Sequence, residues 1–153
     1  MPKFAPSTIP RWASTTRRRW GRILLVDDYV DGRTAVRQAL EDVGHVVIEA
    51  GNGQEALHFL VSRPDERVGL VIVDLQMPVM DGWRLIELLQ CYVGLSTLPV
   101  IVVTSAAEPR LERITHQAVR GCLCAPYDLK ALVDMVDEGL NPTQAEGSGS
   151  SGR

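Results

Sequence analysis

The stretch LVIVDLQMPVMDGW, residues 70–83, decides how the rest of the chain is read. Its first four residues are aliphatic on both alternating faces, so a strand there is covered on both sides, as in a parallel sheet flanked by helices. PVIVVT at 99–104 repeats the pattern. Working outward, short apolar runs lie at Arg22 to Val26, His45 to Ala50, Val68 to Val73, Leu98 to Val103 and Gly121 to Cys124, and these read as five strands. Between them apolar residues recur at helical spacing: Ala35, Val36, Ala39, Leu40 and Val43; Ala56, Phe59 and Leu60; Leu85, Ile86 and Leu89; Leu129, Leu132, Val133 and Val136. A weaker helical pattern, with Leu111, Ile114 and Ala118, covers 107–118. Strict alternation of strand and helix predicts a doubly wound α/β sandwich.

In such a sheet, ligands collect outside the carboxyl ends of the strands. The first strand ends in Asp27-Asp28, the third in Asp74 and the fourth in Thr104-Ser105, so three carboxylates and a hydroxyl are expected on one rim. Clustered carboxylates repel one another and call for a cation. Mg²⁺ suits them, since it takes oxygen ligands and leaves positions for phosphate oxygens. Asp27 and Asp28 read equally well as a turn or N-cap pair before the first helix.

The segment VIVDLQMPVMDGW at 71–83 closely resembles the phosphoacceptor segment of response-regulator receiver domains. LLVDDY at 24–29 is similar to their acidic pair, EAGNGQEAL at 49–57 to their second strand-to-helix turn, and PVIVVTSA at 99–106 to their fourth strand. The likeness runs from residue 22 to about 139 in order and spacing. It implies a flavodoxin-like, five-stranded parallel sheet of order 2-1-3-4-5. It implies Asp74 as phosphoacceptor, Asp28 as a direct Mg²⁺ ligand, Asp27 as a ligand through water, Gln76 as the residue whose backbone carbonyl completes the metal site, and Thr104 as the switch hydroxyl. Met77-Pro78 and Asp81-Gly82 shape the loop beneath the acceptor, with Pro fixing φ and Gly accepting a left-handed turn. The implied partners are a sensor histidine kinase or phosphotransfer protein as phosphoryl donor and a downstream protein target. That target would meet the face built from the 107–118 pattern, the fifth strand and the last helix. A homodimer is compatible with it.

The likeness fails at two places. Receiver domains normally carry a Lys before the Pro that follows the fifth strand, where this chain has Ala125 before Pro126. Three residues earlier, at their aromatic switch position, stands Cys122. An ammonium would form a charge-assisted contact to the phosphoryl group that Ala cannot replace. Arg110 and Arg84 are the candidates to swing in, each more simply read as a solvated surface arginine. Tyr127 reads as packing in the core or on the rim, or as a partial replacement for the missing aromatic, Trp83 as packing at a helix start, and His45, His58 and His116 as surface residues that share no element.

Length and composition agree with this reading. The 153 residues suit one domain, with 45% hydrophobic and 23% charged residues and a net charge of -3. Residues 1–20 form a basic, Pro/Ser/Thr/Arg-rich arm expected to be disordered, 21–140 the domain, and 141–153 a flexible Gly/Ser-rich tail. Through residue 22 the head carries six basic and no acidic residues. That is compatible with contact to nucleic acid, acidic lipid or an acidic partner, and with plain solvation. The apolar run after the arginines is too short for a secretory h-region, and no run approaches the ~20 residues of a membrane helix. Acid-poor and Arg-bearing, the head also fits an organellar transit peptide, which its three prolines disfavour. Three cysteines, Cys91, Cys122 and Cys124, argue for reduced thiols and a cytoplasmic setting. The Cys122/Cys124 pair, on one face of a strand, reads as small-residue packing, since no further ligand completes a metal site.

Two other functions fit parts of the pattern. One is a phosphorylation-independent receiver acting as an interaction or scaffold module. The other is an aspartate-based phosphatase of the dehalogenase type, disfavoured because such enzymes resemble DxD after the first strand whereas Asp74 ends the third.

Overall fold

Side chains in the central strands divide between the two faces of one sheet, and that division builds the molecule. The computed structural model describes residues 22–105 and 118–141. In chain order they form β1 (Arg22–Val26), α1 (Val30–Asp42), β2 (Val47–Ala50), α2 (Gly53–Ser62), a 3₁₀ turn (Pro64–Glu66), β3 (Val68–Asp74), α3 (Gly82–Cys91), β4 (Val100–Thr104), β5 (Val119–Cys124) and α4 (Leu129–Leu140). The strands make one sheet of order β2-β1-β3-β4-β5 with every pairing parallel, the doubly wound order expected from the sequence.

On one face Leu24, Val26, Val71, Val73, Val100 and Val102 pack with Ala56 and Leu60 of α2 and Leu85, Ile86 and Leu89 of α3. On the other, Ile23, Leu25, Leu70, Ile72, Ile101 and Val103 pack with Val36 and Leu40 of α1 and Leu132, Val136 and Leu140 of α4. Truncating one of these fully buried side chains, Leu132 for example, costs about 2–5 kcal/mol, the lost transfer energy plus a cavity term. β1, β3 and β4 are buried on both faces, which is why these central strands read as unbroken apolar runs.

Helix starts are held by side chains. Asn52 accepts from the Glu55 N–H at 2.9 Å while Glu55 accepts from the Gly51 N–H at 2.7 Å, a reciprocal cap that starts α2. Asp81 and Asp128 cap α3 and α4 through the N–H groups of Arg84 and Lys130.

Three strand starts differ from the sequence expectation, and β3 and β4 each end one residue later, at Asp74 and Thr104. β2 begins at Val47, because His45 turns away to meet Asp137 of α4, with Nε2 and Oδ1 2.8 Å apart. The His45 side chain is only 8% exposed, so it ties the α1–β2 connection to α4 and is not the surface histidine expected. β4 starts at Val100, since Leu98 closes a turn on Leu95. β5 starts at Val119, two residues early, drawn into register opposite Val100 although Arg120 and Gly121 give no strand pattern. The helical pattern at 107–118, save Ala118 in a turn, lies outside the described residues, as do the 1–20 arm and the tail beyond Asn141. Among the described residues no helix is long and apolar enough to cross a membrane.

Candidate functional site

The strand order reverses between β1 and β3, and the acidic residues stand at that switch point. Asp27 and Asp28 follow β1 directly, and Asp74 is the last residue of β3. Ligand oxygens of the three carboxylates all lie within 4.8 Å of one another. Neither Asp27 nor Asp28 is the cap of α1. Tyr29 holds that position, and Asp27 folds back to accept the Tyr29 N–H at 2.9 Å. The turn thus aims Asp27 at the cluster rather than along the helix axis.

The cluster lies in an open cleft of ≈ 410 Å³ whose walls include Asp27, Asp28, Asp74, Gln76, Thr104 and Ala125. All five residues expected at the site from sequence are therefore brought together. Burial, opposed by the N–H of Gln76 and reinforced by the charges of Asp27 and Asp28, pushes the Asp74 carboxyl up to about 6. That N–H donates to Asp74 Oδ1 at 3.0 Å. Asp27 is also raised, first by burial and then by Asp28, against the Tyr29 N–H and Arg33, which lower it. Carboxyls held up this way mark a cluster short of positive charge. An all-oxygen donor set of this charge fits a hard divalent cation such as Mg²⁺ and does not fit the softer thiolate-loving metals.

Thr104 ends β4 with its side chain 2% exposed, and its Oγ1 has no hydrogen-bond partner among the described residues. A buried hydroxyl left unpaired costs about 1–3 kcal/mol. Next to it, the Ser105 hydroxyl donates to Gln76 Oε1 at 3.4 Å. Ala125 lies against the same cleft, its N–H donating to the Thr104 carbonyl at 2.7 Å. Among the described residues that line the cleft none is basic. Arg84 is engaged at the surface with Glu87 at 3.2 Å, and Arg110 lies outside the described residues.

The loop beneath the acceptor departs from the expected conformation. Gly82 does not adopt the left-handed backbone; it packs so closely on Asp74 that a Cβ would overlap the Asp74 carbonyl oxygen. The left-handed residue is Val79, at φ 69° and 76% exposed. One residue beside the acidic turn, Arg33, was not expected from sequence. Arg33 donates from Nη1 to the Asp27 carbonyl at 2.6 Å and from Nε to Glu49 at 3.1 Å, bracing the acidic turn. Its position six residues after Asp27 carries no local signal. Tyr127, expected to pack, does so against the α1/α4 core and also lines the cleft. Burial, then the charges of Asp27 and Asp74, raise its phenol pKa. Cys91, Cys122 and Cys124 are free thiols, and Cys122 packs against the α2/α3 core.

Fold and cleft together define an α/β domain with an acidic site at the switch point of its sheet. The chain belongs to the response regulator receiver domain family, whose model matches residues 23–137. It is 35% identical to an uncharacterised 14.6 kDa protein of Leptolyngbya boryana over 117 residues, 76% of this chain and 87% of that protein. It is also 35% identical over 92 residues to a gliding motility regulatory protein of Myxococcus xanthus, covering 60% of this chain and only 12% of that much longer protein. Among solved structures, the receiver domain of a signal transduction histidine kinase from Syntrophus aciditrophicus superposes with a TM-score of 0.71 at 29% identity, covering 84% of this chain and 96% of that one. Receiver domains are signalling domains that work with histidine kinases or phosphotransfer proteins and generally bind Mg²⁺ at an acidic pocket.

Proposed function

We propose that this chain is a receiver that accepts a phosphoryl group on Asp74 and signals through protein contacts. The observation that carries the reading is the convergence of the Asp27, Asp28 and Asp74 carboxylates within 4.8 Å beside the unpaired Thr104 hydroxyl. Asp27, Asp28, Asp74 and the backbone carbonyl of Gln76 are the groups that would hold Mg²⁺. When bound, the ion supplies neutralisation of the carboxylates and of the phosphoryl oxygens.

The chain's own part is positioning. An ionised Asp74 Oδ forms a bond to phosphorus while the bond to the donor breaks. The electron pair leaves with an imidazole nitrogen of a sensor kinase or phosphotransfer protein, or with the carboxylate oxygen of a small acyl phosphate. Such a transfer needs alignment and charge compensation more than covalent help. The Thr104 hydroxyl then donates to a phosphoryl oxygen, which ends its unpaired state. In this reading the protein works in the cytoplasm, which its three free thiols support.

A phosphorylation-independent interaction module is the second reading, favoured by Ala125 and by the lack of a basic side chain among the described cleft residues. Incubation with Mg²⁺ and acetyl phosphate followed by intact mass measurement separates the two. A phosphoryl adduct on the wild type, absent from Asp74→Asn, supports the receiver. No adduct under conditions that label another receiver leaves only the interaction module.

A further inference from the structure

We propose that the Tyr127 hydroxyl is a hydrogen-bond donor to the phosphoryl group on Asp74, standing in for a basic side chain, of which the described cleft wall has none. The inference rests on the receiver reading above. The described wall of the cleft presents three carboxylates and no basic side chain, and phosphorylation turns the single charge of Asp74 into roughly two on the phosphoryl oxygens. Donors are therefore scarce where acceptors crowd. Ser105 already donates to Gln76, and position 125 is a methyl group. Tyr29, also on the wall, is 64% exposed, which leaves Thr104 and Tyr127 as the more buried hydroxyl donors.

Tyr127 is held for this task from two sides. The Ala125 N–H bond to Thr104 fixes where the chain leaves β5, and Asp128 caps α4 immediately after the tyrosine. The residue packs with the α1/α4 core while sharing the cleft wall with Asp27, Asp74 and Thr104. Among the described residues no hydrogen bond engages its hydroxyl, and Thr104, Ala125 and Tyr127 line the cleft together with Asp74. A phenol keeps its proton at neutral pH, so it enters the acidic cleft as a neutral donor with no charge to desolvate. It offers a single donor where an ammonium offers three plus a full charge, so the contact it makes is the weaker one.

Tyr127→Phe keeps the ring and removes only the hydroxyl. With Mg²⁺ saturating, the variant should take phosphate from acetyl phosphate about tenfold more slowly and bind beryllofluoride, a phosphoryl mimic, about tenfold more weakly. Mg²⁺ affinity and melting temperature should stay at wild-type values. Adding Ala125→Lys to the Phe variant should restore both losses. Wild-type rate and beryllofluoride affinity in Tyr127→Phe overturn the proposal, and so does a loss matched by weaker Mg²⁺ binding and a lower melting temperature, which would make the residue a packing element. Absence of any adduct on the wild-type protein overturns the receiver reading and this proposal with it, and is told apart because the variant is then never compared.

Discussion

Gly82, the first residue of α3, lies against the backbone of Asp74 with its N–H donating to the next carbonyl, that of Leu75, at 3.1 Å. The start of a helix is thus packed directly under the carboxylate at the centre of the cleft. No side chain larger than hydrogen fits between them.

Gly82→Ala should therefore shift Asp74 as well as destabilise the fold. Forcing a methyl into a filled space costs about 1–3 kcal/mol, and here the neighbour is backbone, which cannot swing aside. Urea unfolding checks the stability loss, and acetyl phosphate labelling checks the acceptor. A variant as stable and as readily labelled as wild type would mean that the loop relaxes freely.

Asp74 titrates near 6 in the folded protein and near the ordinary aspartate value of 3.8 when unfolded. From about pH 4 to pH 6 the folded chain then holds the extra proton, so stability falls as pH rises through this window and stays lower above it. Asp74→Asn removes that fall. In EDTA the variant should melt above wild type at pH 7 to 8, with the gap closing toward pH 4. Parallel curves across that range would show that the carboxyl is not held up.

Mg²⁺ should raise the melting temperature of the wild-type protein, since a ligand that binds only the folded state stabilises it by an amount that grows with the logarithm of one plus the ratio of its concentration to its Kd. The rise should be weakened in Asp28→Asn and in Asp74→Asn. Titration with Mg²⁺ at neutral pH by thermal melting makes the check; an equal rise in all three proteins would place the ion elsewhere.

Val79 is a β-branched residue in the left-handed region, with a side chain that is largely solvent-exposed and so offers little packing in return. Such a conformation costs an L-residue roughly 1–2 kcal/mol that glycine does not incur. Val79→Gly should raise the midpoint of denaturant unfolding, because the strain removed exceeds the extra chain entropy of glycine. A lower midpoint would show that Val79 packs usefully in solution.

Breaking the link between His45 and Asp137 should loosen the attachment of α4 to the α1–β2 connection. His45→Ala leaves a void at a side chain only 8% exposed and removes its hydrogen bond to a carboxylate that water can reach, with an expected loss of about 1–2 kcal/mol. Amide exchange in α4 should quicken more than in α3. Equal quickening of both helices would point to global destabilisation alone.

The sequence by itself determined the sheet and the membership of its rim. Runs such as Leu70–Val73 and Val100–Val103 are apolar on both faces, a pattern that only a strand covered on two sides can use, and their ends carry Asp74 and Thr104. Strand ends in a parallel sheet share one edge, so Asp27, Asp28, Asp74 and Thr104 could be placed together without coordinates. Tertiary structure alone decided what surrounds them. That Arg33 braces the Asp27 carbonyl, that Tyr127 turns into the cleft, that His45 reaches Asp137, and that Gly82 serves close packing while Val79 takes the left-handed turn all depend on contacts between distant segments or on the packing of one backbone on another. Periodicity reports which face a residue occupies, because burial repeats with the element; it does not report which neighbour waits there, because that is fixed by how the elements cross.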